Sequence, residues 1–468
     1  MLGLSPVRAV FVGCLLASAV TACSGASTSG SAAAPVDGSL GGDGTGSSGG
    51  DGSGADGGAG AGDASSHDAA IGDGGPGADG ASSLFGTTIG DDPCVATGTA
   101  PAWVTTGRCA ARPGRTPTVS SQSGAIAHSI FIPQISASLA IPGEPTFASD
   151  GSIYTNAGHL AAINPTTFTE SWTLPDAYTY PAVVGPDGTL YVSDGGIHRN
   201  VTARDPVTHS VKWTRDMNTT VRPPTLLADG NLALLSSGAG ILEVEVISHA
   251  DGSSLWATTL AGSGAGSGDV GQLVASSDGT IYVASRSGGV YAISPSTHAV
   301  TWNVAGRFDR IALDDRAHRL FVLSAPSTSS VKVGSLATDG TGLVFGAPFF
   351  ENGAMSDIAL GEGGWVYFGT QNKLVGYDTT TNTKWEGTTG AWASSPVVGG
   401  DGTVYYGADK TDGLYAMAFT KTGTLRWDKL LTTTMKYSTE VGAGLSIAST
   451  GHLLLLFSKS AVLFELGP

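Results

Sequence analysis

Six tryptophans recur about 42 residues apart along the second part of the chain. They are Trp172, Trp213, Trp256, Trp302, Trp385 and Trp427, and the single gap in the series falls at Phe345. A period of roughly 40–45 residues is typical of four-stranded β-propeller blades. The spacing therefore predicts an all-β propeller in which each tryptophan occupies the same position of its blade.

Two further elements recur in a fixed order within each period. The first is a short apolar strand, an Asp-Gly hairpin turn and a second strand. It occurs at 145–154, 181–191, 278–282 and 396–405. In the second element an alanine precedes the tryptophan by ten residues, as in Ala162 and Trp172. The alanine ends a third strand, a proline-containing turn follows, and the fourth strand carries the aromatic ring.

The number of periods predicts eight blades. The apolar stretch at 130–132 lies one period before Trp172 and has no blade of its own. The last blade, from about Val441 to Phe464, lacks a fourth strand. Pairing of the N-terminal strand with the last blade would close the ring and remove its exposed edges. Seven blades is the alternative, if the divergent stretch around Phe345 does not form one.

The N-terminus predicts an export signal, because an apolar run from Ala9 to Val20 follows Arg8 and ends in small residues. Val20-Thr21-Ala22-Cys23 resembles the lipobox of bacterial lipoproteins, which implies that Cys23 is lipidated and that the protein is anchored, by expectation in the outer membrane. An ordinary secretory signal with an incidental cysteine is the alternative. The predicted organisation is a signal peptide at 1–22, a Gly/Ser/Ala/Asp linker at 23–83, a cysteine-bearing segment at 84–127 and the propeller at 128–468.

Cys94 and Cys109 are the cysteines that remain after Cys14 leaves with the signal and Cys23 is modified. In an oxidising compartment we expect them to form a disulfide. A metal site is the alternative, but two cysteines without a nearby histidine or third cysteine are a poor zinc site. No metal site and no bound cofactor are predicted.

The repeats described above resemble those of the pyrroloquinoline-quinone (PQQ) type, and the resemblance covers about residue 129 to the C-terminus. It implies that the tryptophans dock between adjacent blades. Within this family the chain is most similar to the BamB-like lipoproteins, although the long linker and the cysteine segment depart from them. The resemblance implies a non-catalytic protein-interaction scaffold. A quinone-dependent oxidoreductase is an alternative, but the adjacent cysteines typical of those enzymes are absent.

A binding site would be expected where the inner strands begin, because the loops there converge on the axis of the ring. Counting back from each Asp-Gly turn or its equivalent gives a polar rim. Its members are Glu144, Tyr180, Arg222, Gln272, Arg307, Asp309, Asp357 and, less securely counted, Glu440. Ordinary solvated loops are the alternative. Trp392 precedes an inner strand and is the candidate glycan contact of a carbohydrate-binding or polysaccharide-acting propeller, a further alternative function.

Charge limits the partners. The net charge is −16, half of it from eight aspartates in the stretch 24–80, and no basic run exists to neutralise phosphates. We therefore expect no nucleic acid, membrane contact only through the lipid anchor, envelope or surface proteins as partners, and a monomer. The sequence also has no phosphate-binding Gly-rich loop in a strand-to-helix context, no HExxH motif, no nucleophile elbow and no CxxC motif.

Overall fold

The computed structural model describes residues 108–109, 111–132, 143–157, 159–174, 180–194, 199–217, 220–238, 240–265, 271–327, 330–348, 356–370, 372–388, 394–433, 443–457 and 460–468. The chain divides into two compact units, Met1–Gly75 and Pro76–Pro468, and every described residue belongs to the second. The predicted signal peptide, the lipidation site Cys23, the linker and Cys94 lie outside the described residues. Their assignments, including the Cys94–Cys109 disulfide, stay predictions.

The described residues form eight antiparallel sheets, which follow one another along the chain as blades. The first strand, β1, is Ile126–Phe131. Blade 1 contains Thr146–Phe147 (β2), Ile153–Asn156 (β3), Leu160–Ile163 (β4) and Glu170–Leu174 (β5). Blade 2 contains Val183–Val184 (β6), Leu190–Asp194 (β7), Asn200–Arg204 (β8) and Val211–Asp216 (β9). Blade 3 contains Thr220–Val221 (β10), Thr225–Leu226 (β11), Leu232–Gly238 (β12), Gly240–Ile247 (β13) and Ser254–Ala265 (β14).

The remaining blades follow the same order from inner to outer strand. Blade 4 contains Gln272–Ala275 (β15), Ile281–Ser285 (β16), Gly289–Ile293 (β17) and Val300–Val304 (β18). Blade 5 contains Arg310–Asp314 (β19), Arg319–Ser327 (β20), Ser330–Ala337 (β21) and Val344–Phe345 (β22). Blade 6 contains Ala359–Leu360 (β23), Trp365–Gly369 (β24), Lys373–Asp378 (β25) and Thr383–Thr388 (β26). Blade 7 contains Val397–Val398 (β27), Val404–Lys410 (β28), Gly413–Phe419 (β29) and Leu425–Thr432 (β30), and blade 8 contains Ala443–Ile447 (β31), Leu453–Phe457 (β32) and Val462–Leu466 (β33).

The ring closes through β1, which is the outer strand of blade 8. It pairs antiparallel with β33 in a register that places Ile130 opposite Leu463 and Phe131 opposite Val462. The sequence prediction of an eight-bladed propeller closed by its N-terminal strand is confirmed. The seven-bladed alternative is wrong, because the divergent stretch around Phe345 folds as blade 5, with a two-residue outer strand.

The Asp-Gly turns hold the first hairpin of several blades through their own side chains. In each case the aspartate Oδ1 accepts the backbone N–H two residues later, and the glycine between them has a positive φ. These pairs are Asp150 with Ser152, Asp187 with Thr189, Asp229 with Asn231, Asp278 with Thr280 and Asp401 with Thr403, at 2.8–3.1 Å. The turns are therefore specified locally, which explains why the sequence repeat is easiest to recognise there.

Four blade interfaces are formed by a tryptophan that packs on a glycine of the next blade. Trp213 lies over Gly252, whose φ is +71° and where a Cβ would be 2.6 Å from the indole Cε3. The same arrangement pairs Trp302 with Gly340, Trp385 with Gly423 and Trp427 with Gly124. Three of these indoles also donate their N–H across the interface, to the carbonyl oxygens of His249, Thr338 and Lys421 at 2.8–3.1 Å. Each contact packs an indole ring directly on the backbone of the neighbouring blade.

Where the next blade has no glycine at this turn, a histidine takes its place. Trp172 stacks on His209 with ring centroids 4.2 Å apart, and Trp256 stacks on His298 at 4.7 Å. Both histidines have φ of 57°. Burial lowers the pKa of His209, which keeps its ring neutral against the indole. The turn residue thus has a left-handed backbone conformation in both kinds of interface. The tryptophan can pack either on a glycine, which has no side chain, or on the planar ring of a histidine.

Closure can be tested at two adjacent residues at the end of β1. Ile132 is fully buried in the core shared by blades 7, 8 and 1, whereas Phe131 is 54% exposed. We expect Ile132→Ala to lower the free energy of unfolding by about 2–5 kcal/mol, because it removes buried methyl groups and leaves a cavity. Phe131→Ala should change it by about 0.5 kcal/mol or less. Urea denaturation measures both, and equal effects would contradict closure through this strand.

The docking interaction can be tested with two glycines of blade 3. Both Gly230 and Gly252 have positive φ, but a Cβ at Gly230 meets nothing closer than the His249 Nδ1 at 3.7 Å. Gly230→Ala should cost about 1–2 kcal/mol from the left-handed backbone alone. Gly252→Ala should cost about 1–3 kcal/mol more, because the methyl group collides with Trp213. Denaturation midpoints of the two variants give the comparison. Equal losses of stability would mean that the Trp213 indole does not pack against Gly252.

Candidate interaction face and central cluster

The inner strands of all blades begin at one end of the propeller, here called the entry face, and run to the Asp-Gly turns at the other end, the turn face. The predicted rim residues have different environments at the entry face. Arg307 is exposed, Arg222 and Asp357 are partly exposed, and Glu144, Tyr180, Gln272 and Asp309 are buried. Trp392 and Glu440 lie outside the described residues, so the glycan contact stays a prediction.

Gln272 and Asp309 have contacts that link adjacent blades, whereas Tyr180 has a contact within blade 2. The Gln272 Oε1 accepts the backbone N–H of Ile311 at 2.9 Å and so links blade 4 to blade 5. The backbone N–H of Tyr180 donates to the Ser193 carbonyl oxygen at 3.0 Å. Asp309 is 2% exposed and forms an ion pair with Arg286 of blade 4. The side chains of Gln272, Tyr180 and Asp309 are therefore buried in the propeller and are not presented to solvent.

The run from Arg307 to Arg310 separates into buried and accessible members. Phe308 is buried, and its backbone N–H donates to the Ser285 carbonyl oxygen at 3.0 Å. The Arg310 Nε lies 2.9 Å from the Asp357 Oδ1, which joins blades 5 and 6. Arg307 is exposed and has no ion-pair partner in the part of the chain that the structure describes. Of this run, Arg307 is the residue whose charge faces outward.

The residues before β1 form a segment, 111–125, that is called the strap here. It runs past the C-terminal ends of the inner strands of four consecutive blades. The backbone N–H groups of Leu313, Leu360, Val398 and Gly400 donate to the carbonyl oxygens of Ala111, Pro113, Gly114 and Thr118, respectively, at 2.8–3.0 Å. The Ser120 hydroxyl then donates to the Gly451 carbonyl oxygen at 2.9 Å. The strap therefore joins blades 5, 6, 7 and 8 in order before the chain enters β1.

The strap also carries Arg112, a functional candidate that the sequence analysis did not single out. Its backbone N–H closes a turn onto the Cys109 carbonyl oxygen at 2.8 Å, and its φ is 48°. The side chain is 8% exposed, and its Nη2 lies 3.5 Å from the Thr225 Oγ1 of blade 3. The only local sequence signal was the turn-forming pair Pro113-Gly114.

Charged side chains of four blades act electrostatically on Arg112. Glu144 of blade 1 and Asp357 of blade 6 act on it attractively, and Arg222 of blade 3 and Arg310 of blade 5 repel it. Burial lowers the pKa of Arg112, and the two carboxylates oppose that shift. These five residues are called the central cluster below. Three predicted rim residues, Glu144, Arg222 and Asp357, are thus close enough to a strap residue to act on it electrostatically.

The described residues contain no group of three or more His, Cys, Asp or Glu side chains that could hold a metal ion. Among the same residues, no helix is long and apolar enough to cross a membrane.

The four-stranded blades, the interlocking tryptophans and the closing strand define an eight-bladed propeller of PQQ-type repeats. Residues 156–303, 240–322 and 347–465 match the family described as outer membrane protein assembly factor BamB. The chain belongs to this family of PQQ-type β-propeller repeat proteins, as the repeats predicted. The search of curated proteins found no match to the sequence.

Two solved structures illustrate the likeness. BamB from Moraxella catarrhalis is 13% identical, with a TM-score of 0.51, and the match covers 74% of this chain and 99% of that one. The Dos1 propeller is 11% identical, with a TM-score of 0.52, and the match covers 73% of this chain and 94% of that one. At these identities the likeness is one of fold.

Proposed function

We propose that this protein is a non-catalytic, lipid-anchored scaffold of the bacterial cell envelope that binds other envelope or surface proteins at its entry face. Membership of a family described as an outer membrane protein assembly factor supports this proposal. The observation that carries it is Arg307, an exposed cation on a loop whose following residues are fixed in the core. Arginine is enriched in the energetically important part of protein interfaces.

The loop is organised before any partner binds. Phe308 anchors it by burial and by its bond to the Ser285 carbonyl oxygen, and the backbone N–H of Asp309 donates to the Leu323 carbonyl oxygen at 2.7 Å. Arg286, which pairs with Asp309 from the adjoining loop, keeps 43% of its side chain exposed. A partner that approaches Arg307 therefore meets a loop that needs little further ordering on binding.

The lipid anchor is the second part of the proposal. Cleavage before Cys23 would leave its thiol and new amino group for acylation, and multiple acyl chains give stable attachment where one does not. Ser24 follows in place of the aspartate that retains many lipoproteins in the inner membrane, which favours the outer membrane. The linker at 23–83 would then let the propeller reach partners at a distance from the bilayer.

A charge reversal at Arg307 tests the interaction surface. We expect Arg307→Glu to reduce co-purification of an envelope protein with the full-length protein after detergent solubilisation, and to weaken affinity about 30-fold, the effect of an interface residue worth about 2 kcal/mol. Lys421→Glu is the matched control, because Lys421 is an exposed cation of the blade 7 turn that ends on the turn face. Asp309 is unsuitable for reversal, since it would leave Arg286 facing a buried cation.

Quantitative mass spectrometry of the co-purified proteins gives the result. A partner lost with Arg307→Glu and retained with Lys421→Glu supports the proposed face. Equal recovery of every partner with both variants and the wild type would show that Arg307 is not part of an interface. Unfolding midpoints of the two variants exclude a loss caused by misfolding.

The anchor is tested at the two N-terminal cysteines. Cys23→Ala should abolish incorporation of an alkyne-tagged fatty acid and shift the protein from the membrane to the soluble fraction. Cys14→Ala should change neither, because Cys14 is predicted to leave with the signal peptide. Labelling that persists in the Cys23 variant would contradict the proposed lipidation.

A further inference from the structure

We propose that the junction between blades 5 and 6 is a docking site for a tryptophan side chain of a partner protein. The site lies at the turn face, where the turn before the outer strand ends, and it involves neither Arg307 nor the central cluster. It is therefore independent of the interaction proposed for the entry face. Either proposal can fail without the other.

The docking rings of the propeller follow one spacing. A residue with positive φ precedes the outer strand of each blade, and it is the residue on which the ring of the preceding blade packs. The ring that the blade itself docks on its neighbour stands four residues later, or three residues later in blade 6. The pairs of receiving and docking residue are Gly124 and His128, Phe168 and Trp172, His209 and Trp213, Gly252 and Trp256, His298 and Trp302, Asn382 and Trp385, and Gly423 and Trp427.

The junction between blades 5 and 6 departs from this series. Six junctions contain the tryptophan contacts described above, and in a seventh His128 stacks on Phe168 with ring centroids 5.2 Å apart. In blade 5 the residue with positive φ is Gly340, and the docking position four residues later is Val344. Val344 is 60% exposed, whereas Trp213, at the same position of blade 2, is 9% exposed. Within the described residues, this junction therefore has no docked ring.

The adjacent aromatic residue does not take over the position. The ring of Phe345 stacks instead on Phe308, with centroids 6.1 Å apart, and Phe308 belongs to the core between blades 4 and 5. The receiving residue of blade 6, Asn382, is exposed and has the φ of 57° that His209 also has. Its Oδ1 accepts the Tyr377 hydroxyl at 2.6 Å, which holds the side chain in place. The receiving turn is thus formed, ordered and accessible.

The same turn offers a hydrogen-bond acceptor to an indole. Three of the docking tryptophans donate their N–H to the carbonyl oxygen of the first residue of the receiving turn. In blade 6 the last pair before the turn is Asp378 with Thr383, so the first turn residue is Thr379. The Thr379 carbonyl oxygen accepts no hydrogen bond from the described residues. By the pattern of the other junctions, an indole packed on Asn382 donates to Thr379.

The propeller itself indicates which side chain fits. Six of the seven docked rings are indoles, and they pack on glycine or on a planar histidine ring. Tryptophan is also enriched among the residues that contribute most to protein interfaces. The tryptophans of the described residues are already engaged, since six of them dock and Trp365 stacks on Tyr367 with centroids 6.0 Å apart. This favours a separate protein, rather than a second copy of the chain, as the source of the indole.

NMR titration of the full-length protein tests the site, with N-acetyl-tryptophanamide as the probe and N-acetyl-leucinamide as its control. We expect the tryptophan probe to give saturable shifts of the backbone amides of Thr379 and Asn382, and the leucine probe to give none. Val344→Trp should fill the position from within the chain and weaken probe binding about tenfold or more. The new contact should also raise the midpoint of thermal unfolding by about 2 °C.

Two further variants separate docking from a general effect of substitution. Val211→Trp is the matched control, because Val211 is 51% exposed on the outer strand of blade 2, whose docking residue is Trp213. It should change neither probe binding nor the unfolding midpoint. Val344→Asp places a charge where the indole would pack, and should weaken probe binding without filling the position. Arg307→Glu should leave probe binding unchanged.

The partner is tested by co-purification from the detergent-solubilised envelope. A protein recovered with the wild type should be lost with Val344→Trp and Val344→Asp, retained with Val211→Trp, and displaced by the tryptophan probe. The proposal is overturned if the wild type does not bind this probe, if the leucine probe binds equally, if Val344→Trp binds as the wild type does, or if no envelope protein depends on Val344. A wild-type dimer that Val344→Trp converts into a monomer would identify a second copy as the occupant and would also overturn it.

Discussion

Ring closure by the first described strand is the constraint on which the rest of the propeller depends. Each blade buries its faces against two neighbours, so an open ring would expose two sheets. The pairing of β1 with β33 prevents this by joining residues more than 330 positions apart, as between His128 and Glu465. The Glu465 carboxylate also contacts His452 in the same blade, 2.7 Å from its Nδ1. The last blade is thus fastened through both its backbone and its side chains.

The strap adds a second connection between blades, at their inner strands. Its carbonyl oxygens accept N–H groups from Leu313, Leu360 and Val398, which belong to three different blades. A backbone hydrogen bond contributes only about 0.5–1.5 kcal/mol net to the free energy of unfolding. The strap, however, forms such bonds with consecutive blades in chain order, and together they fix the inner strands relative to one another. One continuous segment therefore links the C-terminal ends of the inner strands of blades 5–8. The same segment then continues into β1, which is the outer strand of blade 8. Arg112 owes its place in the structure to this double attachment.

The repeated part of the fold was predictable because its determinants are local. An Asp-Gly turn such as Asp187-Gly188 satisfies its own donors, and a tryptophan such as Trp213 needs only a left-handed residue in the next turn. The turn and the tryptophan therefore recur at a regular spacing in the sequence. The strap has no such recurrence, because its partners lie about 200–330 residues away and are bonded through backbone atoms of any residue type. The burial of Asp309 could not be predicted for a related reason, since its partner Arg286 belongs to the preceding blade and to no repeat.

The two faces of the ring differ in what their charges are able to do. At the turn face, carboxylates such as Asp251 accept the N–H and hydroxyl of their own turn, Ser253 here, and these bonds lower the pKa of Asp251. Such groups are engaged in the repeat and have little capacity left for a ligand. At the entry face the charges follow no repeat, and Arg307 is supported by contacts made through its neighbours. Substitutions at such positions leave the hydrogen bonds of the turns intact, and this asymmetry supports the proposal that partners bind at the entry face.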